Sequence, residues 1–230
     1  LIQQSRKAAH TIAIRNAATI RWATRPTRGA VSTEIAVDSG DMVRQILRDK
    51  FPETNLMLSR KAAAEDWEVT EPVPDHGSRK FGQRQFSLAT DKRGNLYYAY
   101  RVQTTNEAGS GLAMMVFNGK EWSDPVELCK HQPKMRAYQP GIVVDASGKL
   151  HCAWYSGASD ENEAQERLIY RSPDGKTLDL GRGWGEDAWP LTLLFTHSGA
   201  LMIVQSAGMD DLLAPIATGK VEYFLIENGK

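Results

Sequence analysis

Three arginines and two aromatic residues supply the side chains best suited to chemistry in this sequence. They are Arg84, Arg136 and Arg182, with Tyr138 and Trp184 nearby in the chain. A guanidinium group forms paired hydrogen bonds with a carboxylate or a sulfate, and an aromatic ring offers a flat surface on which a sugar can stack. These five residues predict a binding site for an anionic glycan. The alternative is that the arginines are ordinary solvated loop charges.

Other polar groups give weaker signals, and none of them assigns a catalytic residue. His76 and His131 lie in loops of the same kind as the arginines, where a histidine and a tyrosine could act as base and acid in uronate elimination. Two histidines without a third ligand make a poor metal site. The sequence therefore predicts neither a metal nor a cofactor. The acidic residues between 160 and 166 are typical of a solvated loop.

The composition excludes several classes of partner. The 230 residues include 28 basic and 28 acidic side chains, so no net charge draws the chain to nucleic acid or to an acidic membrane. No apolar run approaches the roughly 20 residues of a membrane helix. Cys129 and Cys152, the only cysteines, are predicted to be free buried thiols rather than a disulfide. The expected partners are a carbohydrate or another protein.

Four segments of the chain share one pattern, in which two strands are joined by a tight turn. Each segment has an apolar run, a four-residue turn and a second strand, which together predict a β-hairpin. The second strands are 19–25, 95–101, 149–155 and 200–206. Three of the turns end in Gly94, Gly148 and Gly199, where glycine permits a positive φ and an aspartate can close the turn. Ala99 and Ala153 occupy equivalent places, which indicates a close approach of sheets.

A third strand follows each hairpin, and a fourth follows at least two of them. The third strands are 55–61, 112–118, 167–173 and 221–227. The turn glycines recur about every 50 residues, the spacing of four-stranded propeller blades. We therefore predict an all-β chain, a single β-propeller domain over 1–230 with about four blades. The blades are placed at 9–75, 81–129, 138–181 and 188–230. A sandwich or a barrel is the alternative.

The first predicted blade contains an insertion over 26–54 with a different pattern. Its apolar residues at helical spacing are Met42, Ile46 and Leu47. Ser39 or Asp41 would cap a helix at its start, and Pro52 would end it. The sequence thus predicts a short helical insertion at 39–50.

Residues 170–177 resemble a known repeat motif. The segment Tyr-Arg-Ser-Pro-Asp-Gly-Lys-Thr is similar to the Asp box of the sialidase-like, or BNR-repeat, β-propeller superfamily. It has one residue fewer between Asp174 and Thr177, and Leu178 replaces the usual aromatic residue. The resemblance implies propeller blades and a secreted or periplasmic protein. Because an Asp box folds a turn between the outer strands of a blade, it implies a fold rather than an activity.

The resemblance also implies which chemistry to look for. Active sialidases of this class use three arginines, a Tyr–Glu nucleophile pair and an aspartic acid/base. The first arginine lies in an Arg-Ile-Pro-like segment, and the corresponding residues 9–13 lack that motif. We therefore expect a saccharide-handling propeller of the glycoside hydrolase or polysaccharide lyase type. The competing hypothesis is a non-enzymatic scaffold in which the helix at 39–50 docks a protein partner.

The last predicted unit ends after its third strand. Either residues 1–8 supply the missing outer strand, or the chain is a fragment or an open arc of a larger propeller, which we expect. In that case Leu193, Phe195 and Phe224 would form an exposed apolar face, and the chain would self-associate.

Overall fold

The computed structural model shows a chain built from antiparallel strands. The described residues are 9–16, 19–26, 32–37, 40–48, 55–61, 68–74, 86–102, 109–130, 132, 134–158, 166–183, 191–207 and 220–227. They form seventeen strands, and no helix occurs among them. A helix long and apolar enough to cross a membrane is accordingly absent from this described part.

The strands form five sheets, in each of which neighbours in the chain pair antiparallel. Sheet A contains β1 (Ala9–Asn16) and β2 (Thr19–Pro26). Sheet B contains β3 (Ser32–Val37), β4 (Met42–Arg48), β5 (Asn55–Lys61) and β6 (Glu68–Pro72). Sheet C contains β7 (Phe86–Thr90), β8 (Leu96–Val102), β9 (Gly111–Phe117) and β10 (Val126–Cys129). Sheet D contains β11 (Met135–Val144), β12 (Leu150–Ala158), β13 (Arg167–Arg171) and β14 (Thr177–Arg182). Sheet E contains β15 (Thr192–Phe195), β16 (Leu201–Ala207) and β17 (Lys220–Ile226).

The first strands of sheets B to E lie side by side. β7 contacts both β3 and β11, and β11 also contacts β15. Two hydrogen bonds join these strands: Thr90 Oγ1 donates to the Val37 carbonyl at 2.8 Å, and the Ile142 amide donates to Ser87 Oγ at 3.3 Å. Sheets that meet along their first strands and stack face to face form the blades of a propeller. The predicted all-β propeller architecture is confirmed.

Three apolar cores lie between successive sheets, one at each interface from sheet B to sheet E. One lies between sheets B and C and includes Ile46 and Met115. The second, between sheets C and D, includes Ala99, and the third, between D and E, includes Ala153. Both alanines are fully buried. Small side chains at equivalent places thus occupy the inter-sheet cores, as the repeated alanine predicts.

The predicted helix at 39–50 is wrong, because this segment contains the strand β4. β4 pairs with β3 on one side and with β5 on the other. Val43 and Ile46 are fully buried, and Arg44 is also buried, so both faces of the strand are covered. A strand buried on both faces lacks strict alternation of polar and apolar residues, and its apolar spacing can match that of a helix.

The first predicted blade, 9–75, is also wrong as a single sheet. β1 and β2 pair only with each other among the described strands, and β5 and β6 complete a sheet with β3 and β4. The segment interpreted as an insertion therefore supplies the two inner strands of sheet B. The other predicted hairpins correspond to β7–β8, β11–β12 and β15–β16.

The predicted hairpin turns are confirmed in detail. Gly94, Gly148 and Gly199 have φ values of 84°, 82° and 84°. Asp91 Oδ1 accepts hydrogen bonds from the amides of residues 93 and 95, both at 2.9 Å. Asp145 Oδ1 accepts from the amides of residues 147 and 149, at 2.8 and 2.9 Å. The aspartate side chain thus replaces backbone acceptors that the tight turn cannot supply.

The exposed apolar residues of sheet E differ from those predicted. Leu193, Phe195 and Phe224 pack into the core between sheets D and E. The exposed large apolar side chains of β17 are Val221, Tyr223 and Leu225. Self-association through this surface stays a prediction.

Candidate functional site

Polar side chains from several strands gather at one end of the sheets. We define the upper end as the end at which the first strand of each sheet begins, so that second strands finish there. Arg101 lies at the upper end of β8, Arg136 and Tyr138 lie at the start of β11, and Glu166 immediately precedes β13. Propellers place their ligand sites where loops converge at one end of the inner strands.

Tyr138 is the centre of this cluster. Its hydroxyl group donates a hydrogen bond to Glu166 Oε1. Its ring centroid lies 5.9 Å from that of Tyr155 and 6.0 Å from the guanidinium carbon of Arg101. Both tyrosines are fully buried, and Arg101 and Glu166 are also buried. The arrangement is a phenol paired with a carboxyl group, with a cation over the aromatic face.

An irregularity in β11 turns Tyr138 toward these partners. Tyr138 pairs with Tyr155 and Gly141 pairs with Ala153, so two residues of β11 oppose one residue of β12. Gln139, within this bulge, has a φ of 48°. A bulge bends the strand locally and re-aims the neighbouring side chains.

Two glycines leave space for the cluster. A Cβ atom on Gly157 would lie 2.9 Å from Cγ of Glu166, and one on Gly183 would lie 2.8 Å from Cδ1 of Tyr155. The Gly183 amide also donates to the Glu166 carbonyl at 2.9 Å, which fixes the backbone that carries the carboxyl group. Larger residues at either position would displace a member of the cluster.

Sheet C holds the start of β11 in place through Ser110. The Ser110 amide donates to the Met135 carbonyl at 2.8 Å, and its hydroxyl donates to the Ala137 carbonyl at 2.9 Å. The Ala137 amide donates back to Ser110 Oγ at 3.1 Å. This buried junction anchors the residues on either side of Arg136 to the adjacent sheet.

Sheet E contributes a second polar group beside Tyr155. Gln205 Nε2 donates to Glu222 Oε2 at 2.5 Å and to the Arg182 carbonyl at 3.3 Å. Burial raises the pKa of Tyr155 far above its usual value, and the negative charges of Glu166 and Glu222 raise it further. The Tyr155 hydroxyl has no hydrogen-bond partner in the part of the chain that the structure describes. The Tyr155 phenol is thus kept neutral by burial and by the charge of two carboxyl groups.

The structure unites only some of the predicted site residues. Arg136 and Tyr138 lie on the same strand, β11, two residues apart. Arg182 lies at the end of β14, the outermost strand of sheet D, opposite Arg167. Arg84 and Trp184 lie outside the described residues, as do His76 and His131. Their contribution to a binding site stays a prediction.

Three members of the cluster were missed from the sequence. Arg101 and Tyr155 occur inside strands, where the pattern indicated only packing residues. Glu166 ends the acidic run that predicted a solvated loop, but its side chain is buried. Its position directly before a strand is the one signal that distinguishes it from the earlier acidic residues.

Other sequence features lie away from this cluster. Cys129 and Cys152 are free thiols, and burial raises their pKa values to about 11 and about 12. Residues 172–176 form a turn between β13 and β14, the outer strands of sheet D, where Gly175 has a φ of 87°. Among the described residues, no group of three or more His, Cys, Asp or Glu side chains could hold a metal ion.

The fold is that of a β-propeller, and the clustered polar residues form a candidate site at the upper end of its inner strands. Residues 85–211, more than half of the chain, match the profile of the BNR repeat-containing family, and the chain belongs to this family. A search among curated proteins finds no match.

Solved structures share the fold at low sequence identity. The α-L-arabinofuranosidase of Fusarium graminearum, solved with arabinobiose, is 12% identical, with a TM-score of 0.64 over 88% of this chain. The α-L-arabinanase of Penicillium chrysogenum, also solved with arabinobiose, is 12% identical, with a TM-score of 0.61 over 88% of this chain. The chain spans 64% of the length of the Fusarium enzyme and 68% of the Penicillium enzyme.

Proposed function

We propose that this chain is part of a carbohydrate-active propeller that binds an anionic glycan at the upper end of sheet D. The observation that carries the proposal is the buried Tyr138–Glu166 pair with Arg101 beside it. Membership of the BNR family and the fold shared with two arabinan-degrading enzymes support a saccharide ligand. Arg136, at the start of β11, carries a positive charge that favours an anionic sugar over a neutral one.

Arg136 is the proposed ligand for the negative group of the sugar. It is only partly buried and lies at the start of β11, where the Ser110 junction fixes the backbone on both sides. A guanidinium group held by a rigid backbone loses little freedom when it binds a carboxylate or a sulfate. Arg84, which precedes β7 in the chain, is the second proposed ligand.

Tyr138 and Glu166 are the proposed reactive pair. The carboxylate can take the phenolic proton while the phenol oxygen reacts, and it can return that proton afterwards. This is the type of pair that the resemblance to sialidases implies. A glycoside hydrolase and a polysaccharide lyase both need such a proton transfer, so the products of the reaction must distinguish them.

A binding experiment tests the ligand class. Isothermal titration would compare uronate-containing, sialylated and sulfated oligosaccharides with neutral arabino-oligosaccharides. We expect an anionic ligand to bind and the double variant Arg84→Ala/Arg136→Ala to bind it at least about tenfold more weakly, as loss of charged hydrogen bonds implies. Arg93→Ala, on an exposed turn of sheet C, is the matched control. Equal affinity of the double variant and the wild type would disprove the arginine assignment.

A turnover experiment tests the reactive pair. New reducing ends indicate hydrolysis, and ultraviolet absorbance of an unsaturated uronate indicates elimination. Glu166→Gln and Tyr138→Phe should reduce turnover more than affinity, because both variants keep the shape of the pair. Unchanged turnover in both would show that the reaction occurs elsewhere. The competing scaffold hypothesis is weakened, because the segment at 39–50 contains the strand β4 and not the docking helix that it requires.

A further inference from the structure

A groove of about 330 Å³ lies between sheets C and D, lined by β9 and β10 on one side and by β12, the end of β13 and the turn that follows it on the other. We call it the rim groove. It opens at the lower end of the sheets, where the turn between β11 and β12 and the turn at 172–176 lie. Leu150, at the start of β12, lines it, whereas Tyr155 of the candidate site lies toward the other end of the same strand. The rim groove is therefore separate from the site at the upper end.

The floor of the rim groove is apolar. It is formed by Met114, Val126, Leu128, Leu150 and Cys152. Leu128 and Cys152 are buried members of the core between sheets C and D, and 53% of the surface of Val126 is exposed. The groove is thus the place where this core opens to solvent. Burial of the exposed floor by a ligand would be favourable in water.

Two cations stand at this floor, Arg171 and Lys149. Neither forms an ion pair with any residue that the structure describes. Arg171 is opposite Cys152 in the β12–β13 register, so its side chain and the thiol share one face of sheet D. Burial dominates the raised pKa values of Cys129 and Cys152, and the positive charge of Arg171 acts in the opposite direction on both. The register places Arg171 beside Cys152 on the face of sheet D that borders the groove.

The acidic residue of the groove wall is already engaged. Asp174 accepts a hydrogen bond from Ser172 and lies 3.0 Å from Nζ of Lys176. An external anion is the natural partner for Arg171 and Lys149, because a half-buried guanidinium group over an apolar floor has little water to stabilise it.

We propose that the rim groove binds a small organic carboxylate with a compact apolar body. The carboxylate would pair with Arg171 and Lys149, and the apolar body would cover Val126 and Met114. The volume is at the lower end of the range for small-molecule sites, which favours a small ligand over a macromolecule. A sugar needs hydrogen-bond partners along its ring, and the floor supplies none.

Three probes separate charge from shape: phenylacetate, its neutral analogue phenylacetamide, and acetate. Each is titrated into the full chain carrying ¹³C-methyl methionine, and the Met114 resonance is assigned with the variant Met114→Leu. We expect phenylacetate to shift that resonance. Phenylacetamide should bind at least about tenfold more weakly than phenylacetate because it lacks the charge. Acetate should also bind at least about tenfold more weakly, because it lacks the apolar body.

Substitutions then test the two cations. Arg171→Gln and Lys149→Gln should each weaken phenylacetate binding several-fold or more, and Lys120→Gln, on an exposed turn of sheet C, should leave it unchanged. Lys149 is exposed, so its variant tests the proposal even where Arg171→Gln fails to fold. The proposal is overturned if phenylacetate leaves the Met114 resonance unmoved. It is also overturned if phenylacetamide binds as tightly as phenylacetate, or if the Lys149→Gln variant binds phenylacetate as tightly as the wild type does.

Discussion

Replacement of Gly157 by alanine tests the geometry of the candidate site directly. The new Cβ atom would lie 2.9 Å from Cγ of Glu166, closer than two carbon atoms can approach, whereas its next contacts, at 3.6 and 3.7 Å, are ordinary. The clash therefore involves one side chain. Glu166 must rotate away, and its hydrogen bond with Tyr138 is then lost.

The size of the effect follows from that hydrogen bond. A buried hydrogen bond to a charged group contributes about 1.5–3 kcal/mol. Alanine also reduces the freedom of the unfolded chain relative to glycine, which offsets about 0.4–1 kcal/mol. The free energy of unfolding of Gly157→Ala should therefore fall by about 0.5–2.5 kcal/mol. Turnover of the proposed glycan substrate should fall as well, because the proposed reactive pair is displaced.

A double-mutant cycle measured by urea denaturation identifies the cause. In a Glu166→Ala background, Cγ is absent, so Gly157→Ala should be neutral or slightly stabilising. The two substitutions should thus be strongly non-additive. An equal loss of stability in both backgrounds would refute the reasoning, since the alanine would then clash with something other than Glu166.

Three further predictions concern the rest of sheet D. Burial lowers the pKa of His151, with the carboxylate of Asp145 partly opposing the shift. Stability from its neutral form is present above the unfolded pKa of about 6.5 and is lost as the pH falls through the folded pKa. His151→Phe should therefore flatten the decline in urea midpoint below neutral pH, and an unchanged decline would contradict this. Asp145→Ala removes the acceptor of two backbone amides and should lower the free energy of unfolding by about 1–2 kcal/mol, and Asp145→Asn by less; equal losses would contradict this role. Gly141→Ala places a Cβ atom 2.8 Å from the Leu191 carbonyl oxygen and should cost about 1–3 kcal/mol; an unchanged thermal midpoint would show that sheets D and E pack differently.

The features that the sequence predicted correctly are governed by local chemistry. A turn that begins with Asp145 and ends with Gly148 specifies its own hydrogen bonds and its own positive φ, so it is visible without tertiary contacts. Arg136 and Tyr138 were chosen for their side-chain chemistry, which is likewise visible without tertiary contacts, and their role in binding stays a prediction. Such short-range signals predict where the hairpins lie, but they do not predict which strands pair to form each sheet.

The errors arose where burial on both faces or long-range pairing decides the structure. Val43 and Ile46 are fully buried in β4, and their spacing in the sequence fits a helix as well as a central strand. The pairing of β5 with β4 rather than with β2 depends on contacts between separate strands. No periodicity within either segment encodes that choice.

The bulge in β11 explains why the sequence indicated Tyr138 but not the residues that contact it. Under strict alternation Tyr138 and Ile142 would share one face, yet Ile142 packs between sheets C and D and Tyr138 packs between sheets D and E. The two residues of the bulge, Gln139 and Pro140, change the face between them. A proline inside an inner strand has no amide for the sheet and marks such a bulge. Pro140 therefore indicates, in the sequence alone, where this strand changes the direction of its side chains. The partners of Tyr138 come from β8 and from the start of β13, and only the assembled sheets bring these strands together.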